Sequence, residues 1–223
     1  MVEPSFLLGA APPGVTAQPP GTVAVVTAVA FADSAQAAVE ALEPLERCPA
    51  AGRALHAQVA APTTFDGLFD AAARFWPEGR RYAADTAWSN AELGAVVSRL
   101  REPIQAAPSN ESVVLATLSP EPRGIGTAAD TAFSVHGRTL LDCYAVWQDP
   151  VADDANRGWL RETMTALEPV TVGHYVGEAD LTAAPARARR CYTEQNWRRL
   201  LALRARFDPD GVFHTFLDGV PAR

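Results

Sequence analysis

Lysine is missing from this chain: all 19 basic side chains are arginine. Against 26 aspartates and glutamates they leave a formal net charge of -7. That balance gives no electrostatic footing for nucleic acid or an anionic membrane surface. Cysteine is scarce as well. Cys48, Cys143 and Cys191 are odd in number, widely spaced and free of any CxxC pair, which argues against a disulfide framework or a zinc site. A reducing, cytoplasmic compartment is the expectation. No apolar run approaches the ~18 residues that a membrane span needs. Residues 1–11 lack the basic start and the A-x-A site of a signal peptide. His56, His136, His174 and His214 stand far apart with no HxH or HExxH, so no metal site is expected. No serine has a G-x-S-x-G setting, and no glycine-rich phosphate loop joins a strand to a helix.

What remains is an ordinary globular composition. Hydrophobic residues make up 48% of the 223, enough for one sizeable domain over residues 1–223. Residues 12–20 form a Pro/Gly-rich connector, leaving residues 1–21 partly irregular. Strands are expected over residues 6–10, 22–31, 81–88, 113–118, 139–147 and 171–176, where β-branched and aromatic residues gather. Helices alternate with them. Ser34 caps one that carries Val39, Leu42 and Leu45. Ser89 and Glu92 form a capping box ahead of Leu93, Val96, Val97 and Leu100. Asp153 or Asp154 opens another, with Trp159, Leu160, Thr163 and Leu167 on one side.

The last helix is the most distinctive. Thr193 is its N-cap, and Trp197, Leu200, Leu201, Leu203 and Phe207 fall mostly on one side. Asp208-Pro209-Asp210-Gly211 stops it, and Val212, Phe213 and Phe216 are expected to re-enter a core. Asn196 reads as an ordinary first-turn residue.

This string, Asn196-Trp197-Arg198-Arg199-Leu200 followed by Phe207-Asp208-Pro209-Asp210-Gly211-Val212-Phe213, resembles the C-terminal signature of berberine-bridge-type FAD-linked oxidases. Thr131-Ala132-Phe133, Trp147-Gln148-Asp149-Pro150 and Tyr175-Val176 follow the family's order. The resemblance covers nearly the whole chain. It implies the family's substrate domain: an α+β fold, one antiparallel sheet with helices on one face and a substrate cavity on the other. The family's FAD-binding domain has no counterpart here. The family's Tyr-Val-Asn in the last strand, near the flavin, is Tyr175-Val176-Gly177 in this chain, and its Tyr-Gly-x-Asn is stretched to Tyr192-Thr193-Glu194-Gln195-Asn196.

Strands alternate faces. Asp142 and Tyr144 therefore share one face, and Leu141, Cys143 and Trp147 the other. Asp142 is assigned to the cavity side, because an unpaired carboxylate under helices is costly. By the resemblance Tyr175 points into the cavity and His174 away from it. Tyr175, Asp142 and Tyr144 are the catalytic candidates. Tyr192, Glu178, Glu194 and Thr117 are the substrate-binding ones. Tyrosines donate to a carbonyl; a desolvated carboxyl serves as acid or base. For His136 a structural hydrogen bond is expected, and Cys143 and Cys191 read as core thiols.

The expected function is a cofactor-independent cyclase or isomerase acting on a small hydrophobic, polyketide-like substrate in bacterial natural-product biosynthesis, with a [4+2] cyclase as one form. Two rivals stand beside it. One is the substrate half of a split oxidoreductase that uses FAD only when paired with a separate flavin domain. The other is a non-catalytic carrier of a lipophilic metabolite. A homodimer is a further expectation from an uncovered sheet face.

Overall fold

A computed structural model describes residues 2–9, 22–73, 76–118 and 131–216. The chain folds as α+β, around a six-stranded, wholly antiparallel sheet. The strands are β1 (Val2–Gly9), β2 (Val23–Ala30), β3 (Arg81–Ser89), β4 (Val113–Leu118), β5 (Thr139–Trp147) and β6 (Thr171–Gly173). Their order across the sheet is β2-β1-β4-β5-β3-β6. The helices are α1 (Ala35–Glu46), α2 (Phe65–Ala73), α3 (Leu93–Gln105), α4 (Asp153–Leu167), the short α5 (Arg187–Arg190) and α6 (Glu194–Phe207). The expected connector at residues 12–20 lies outside the described residues.

The register explains the layering. Ala87 pairs with Leu141, Asp85 with Cys143 and Ala83 with Ala145, while Val114 faces Cys143 and Ala116 faces Leu141. These side chains share one face. On it α3 lays Val96, Leu100 and Ile104, and α4 lays Trp159, Leu160, Met164 and Leu167, closing one buried core. Small residues at 83, 87, 116 and 145 let the helices come close, and Trp159 Nε1 donates to the Pro103 carbonyl at 2.7 Å between them. At the near end of α4, Arg81 grips Asp153 with two hydrogen bonds while Trp147 Nε1 donates to the same carboxylate.

Several local expectations need correction. Ser34 and Thr193 do cap α1 and α6, but the capping box at Ser89 and Glu92 does not form. Glu92 is the N-cap residue of α3 without a side-chain cap bond, because the Ser89 hydroxyl is used between the Val170 carbonyl and the Ala91 amide. On α6 only Trp197 is fully buried among the apolar residues named; Leu203 and Phe207 are exposed. Val212 and Phe213 are exposed too, rather than returning to a core. The turn itself is as expected: Gly211 has φ +65, and Asp208 accepts from the amides of Val212 and Phe213. Phe216 lies flat on Tyr192, ring centroids 6.2 Å apart.

The last strand is also shorter than expected. β6 ends at Gly173, three residues short of Val176. Beyond it the chain leaves the ladder, and the side chain of Thr86 takes over. Its hydroxyl accepts from the Tyr175 amide at 2.9 Å and donates to the Tyr175 carbonyl at 3.2 Å. His174 Nδ1 meets the Thr86 carbonyl at 2.5 Å. Asp85, buried on β3, accepts from the amides of Thr86 and Asp180 and pairs with Arg187. One edge of β3 is thus finished by a strap, residues 174–190, fastened mainly through side chains.

Candidate functional site

The second sheet face is the opposite set of side chains. In rows across β3, β5 and β4 it reads Trp88–Leu140–Thr117, then Thr86–Asp142–Leu115, then Ala84–Tyr144–Val113. Trp88 and Leu140, from the first row, line a cavity of about 590 Å³. Its other walls come from loops: Ala132 and Phe133 from the segment before β5, Tyr175 and Val176 from the strap, and Tyr192 from the approach to α6. Phe133 meets Tyr175 edge-on at 5.5 Å, which fixes the corner where the two loops join. The walls are nearly all apolar or aromatic. No hydrogen-bond partner among the described residues engages the hydroxyl of Tyr175 or Tyr192.

The next two rows carry the charge. Asp142 is only 7% exposed. It has no hydrogen bond or ion pair among the described residues. Burial, with a smaller push from the nearby Glu178 carboxylate, raises its pKa to about 7. Tyr144 donates to Glu178 Oε2 at 2.5 Å. Burial first, then that bond, raises the phenol well above its usual range, so it stays a donor at any physiological pH. Trp76 meets Tyr144 in an edge-to-face contact, centroids 4.4 Å apart.

The expected site residues therefore divide. Tyr175 and Tyr192 line the cavity. Asp142 and Tyr144 share its sheet face, one and two rows from Leu140, or roughly 7 and 13 Å along the strand. Glu178 joins them through Tyr144 rather than standing free in solvent. Thr117 sits in the Leu140 row without lining the cavity. Glu194 lies apart: it is exposed at the start of α6 and ion-paired by Arg189 and Arg198. His174 is fully buried, and the neutral ring is favoured because burial lowers its pKa. His136 contacts the rings of Phe133 and Trp88 and makes no hydrogen bond among the described residues. Cys143 and Cys191 are buried thiols whose pKa burial raises. Among the described residues no group of His, Cys, Asp or Glu is arranged to hold a metal ion, and no helix is long and apolar enough to cross a membrane.

Sequence reasoning missed four contributors. Trp88 and Leu140 follow from the alternation that placed Asp142, once the register is known. Thr86 gave no local signal. Asn196, read as an ordinary helix residue, is buried and donates to the Thr131 carbonyl, tying the Phe133 loop to α6.

No protein-family model matches the chain. Among curated proteins it is similar to the FAD-linked oxidoreductase nodO of Hypoxylon pulicicidum, 25% identical over 192 residues. That match covers 83% of this chain and 40% of nodO. Among solved structures it is similar to berberine bridge enzyme from Eschscholzia californica, with a TM-score of 0.69 at 15% identity, covering 96% of this chain and 47% of that one. GilR, an oxidoreductase that catalyses the terminal step of gilvocarcin biosynthesis, gives a TM-score of 0.63 at 20% identity, with 96% and 46% covered. The chain spans about half the length of the relatives it matches.

FAD is the cofactor that the name of such a relative implies. Among the described residues none of α1 to α4 or α6 is entered through glycine, and α1, α3 and α4 are approached through Asp33, Glu92 and Asp149, which oppose a pyrophosphate. At Gly177, where the family usually has asparagine, an added Cβ would lie 2.8–2.9 Å from the ring and hydroxyl of Tyr175. The far end of the Tyr175 side chain stands in that space and would have to move aside for a larger residue. In fold, then, this chain resembles about half of berberine bridge enzyme and of GilR, and in sequence it is similar to part of an FAD-linked oxidoreductase.

Proposed function

We propose that the chain binds a lipophilic small molecule against the open sheet face and catalyses its ring closure or isomerisation in bacterial natural-product biosynthesis. The aromatic walls hold the substrate body in a folded conformation. The hydroxyls of Tyr175 and Tyr192 donate to its oxygens, polarising a carbonyl where charge develops. Confinement in a reactive pose lowers the entropic part of the barrier. Asp142 holds a proton near neutrality and can give or take it beside the substrate. Tyr144 and Glu178 fix the charge next to it. A [4+2] closure is one reaction such a cavity supports, since it needs orientation and polarisation only. The observation that carries this reading is Asp142: a buried, unpaired carboxyl one row from an apolar cavity. Similarity to GilR, whose reaction ends a natural-product pathway, agrees with the substrate class.

A second reading has its own observation. The chain spans 40% of nodO and leaves Phe65, Phe69, Phe207 and Phe213 exposed, which suits the substrate half of a redox enzyme completed by a flavin domain. One experiment separates the two. The host gene is deleted and the accumulating metabolite is compared by mass spectrometry with the final product. An accumulated isomer of identical mass supports ring closure or isomerisation. A difference of two hydrogen atoms supports the redox half and overturns the cyclase.

A further inference from the structure

Arginine is plentiful in this protein, yet among the described residues none stands in the strand rows of the open sheet face. The rows Thr86–Asp142–Leu115 and Ala84–Tyr144–Val113 contain Asp142 and no cation, and Glu178 of the strap joins them as a second carboxyl through Tyr144. The arginines nearest in sequence are engaged elsewhere: Arg138 with Glu92, Arg80 with Glu111, Arg81 with Asp153, Arg187 with Asp85. Asp85 makes an instructive contrast. It is equally buried, and it is satisfied by two amides and a guanidinium. Asp142 has none of these. An unpaired carboxyl removed from water is destabilising, and a fold that keeps one has left its partner to come from outside.

The surroundings say what that partner carries. Trp76 and Tyr144 pack beside the carboxyls, and Trp88, Phe133 and Tyr175 line the cavity one row away. Aromatic faces attract cations and give nothing to anions. Two carboxyls and a wall of rings favour a positive charge from every side.

Resting on the cavity reading above, we propose that the substrate is a lipophilic amine: its aromatic or polyene body fills the cavity between Trp88 and Tyr192, and its ammonium sits against Asp142, with Glu178 as the second acceptor. The body and the nitrogen are separated by one row of the sheet, roughly 7 Å. A nitrogen carried on a short tether from a ring system meets that spacing. The ammonium N–H groups donate to the Asp142 carboxylate, so the amine binds the ionised form and displaces the proton that the empty site holds.

The test uses the full chain and two probes that differ only in the charged group: 2-(2-naphthyl)ethylamine and 2-(2-naphthyl)ethanol. Affinities are measured by calorimetry from pH 5.5 to 8.5. The expected result is a preference for the amine of roughly tenfold or more at pH 8, the scale of a charge-assisted bond in a sheltered site. The preference grows from pH 5.5 to 8 as Asp142 ionises, with proton release to buffer on the acid side. Alcohol binding gains nothing over the same range. In Asp142→Asn the amine preference and its pH dependence disappear while alcohol binding persists. Glu178→Gln lowers the preference by a few-fold. Thermal unfolding verifies that both variants are folded, and proton release in the native protein gives a readout that needs no variant. Equal binding of the two probes, or an amine preference that survives in Asp142→Asn, overturns the proposal and leaves the cavity reading standing. Binding of neither probe overturns both.

Discussion

The two ends of the sheet are built to different standards. Around β3, β4 and β5, helices α3 and α4 bury Val96, Leu100, Ile104, Trp159, Leu160, Met164 and Leu167 against small strand residues. At the β2 end, α1 and α2 bury no residue at all. Phe31 and Phe65 stack on each other with much of both rings in solvent. Both regions have amphipathic helices, so periodicity is the same in each. What differs is what lies opposite. Ala83, Ala87, Ala116 and Ala145 leave room for the helices in the first region, and the stability is expected to concentrate there.

That contrast is most easily broken from the buried side. Leu160→Ala should cost about 2–5 kcal/mol in denaturant unfolding, since α4 cannot collapse onto the cavity it leaves. Asp85→Ala is expected to fall in the same range, about 3–5 kcal/mol, because Arg187 and two amides lose their acceptor. A cost below 1 kcal/mol for either would place the stable core elsewhere.

Asp142→Asn should act in the opposite direction, and only above a certain pH. Burial raises the carboxyl's pKa to about 7 in the native protein, against about 4 when unfolded. Below about pH 4 both states are protonated and the substitution is neutral. As pH rises from 4 to 7 the unfolded chain releases the proton first, and native stability falls. Above pH 8 the variant should therefore be more stable than the native chain, by up to about 4 kcal/mol, in matched melts at pH 4 and pH 8.5. An equal effect at both pH values would contradict a buried, proton-holding Asp142.

Thr86→Val preserves shape and removes both hydrogen bonds to the Tyr175 backbone. A loss of about 1–2 kcal/mol is expected, together with faster amide exchange at Tyr175. At the β2 end, Phe69→Ala, at a ring 73% exposed, should change stability by no more than about 0.5 kcal/mol. A larger loss would show that α2 has a partner in solution.

How far the sequence led follows the same division. The strands at residues 113–118 and 139–147 were legible to the residue, because β-branched runs there end at hard stops such as Asp149-Pro150. The faces of β5 followed from alternation, and with them Asp142 and Tyr144. The C-terminal turn was legible in its geometry but not in its burial. Its apolar residues satisfy any pattern for a core, yet Phe207 and Phe213 stay in solvent, because patterning tells which residues share a side and not whether anything covers it. The strap was illegible for another reason. Its bonds run from Thr86 and Asp85 to residues some ninety positions away, and no local signal marks such pairings. The union of Tyr144 with Glu178 escaped notice on the same account.

Thr86 has one more implication. The wall bearing Tyr175 hangs from a hydroxyl on a finished strand, while the hydrogen-bonded ladder runs on without it. Shape of the pocket and integrity of the sheet are consequently separable traits. A lineage could lengthen, shorten or re-aim that loop by single replacements, sampling new ligands while its scaffold stayed intact.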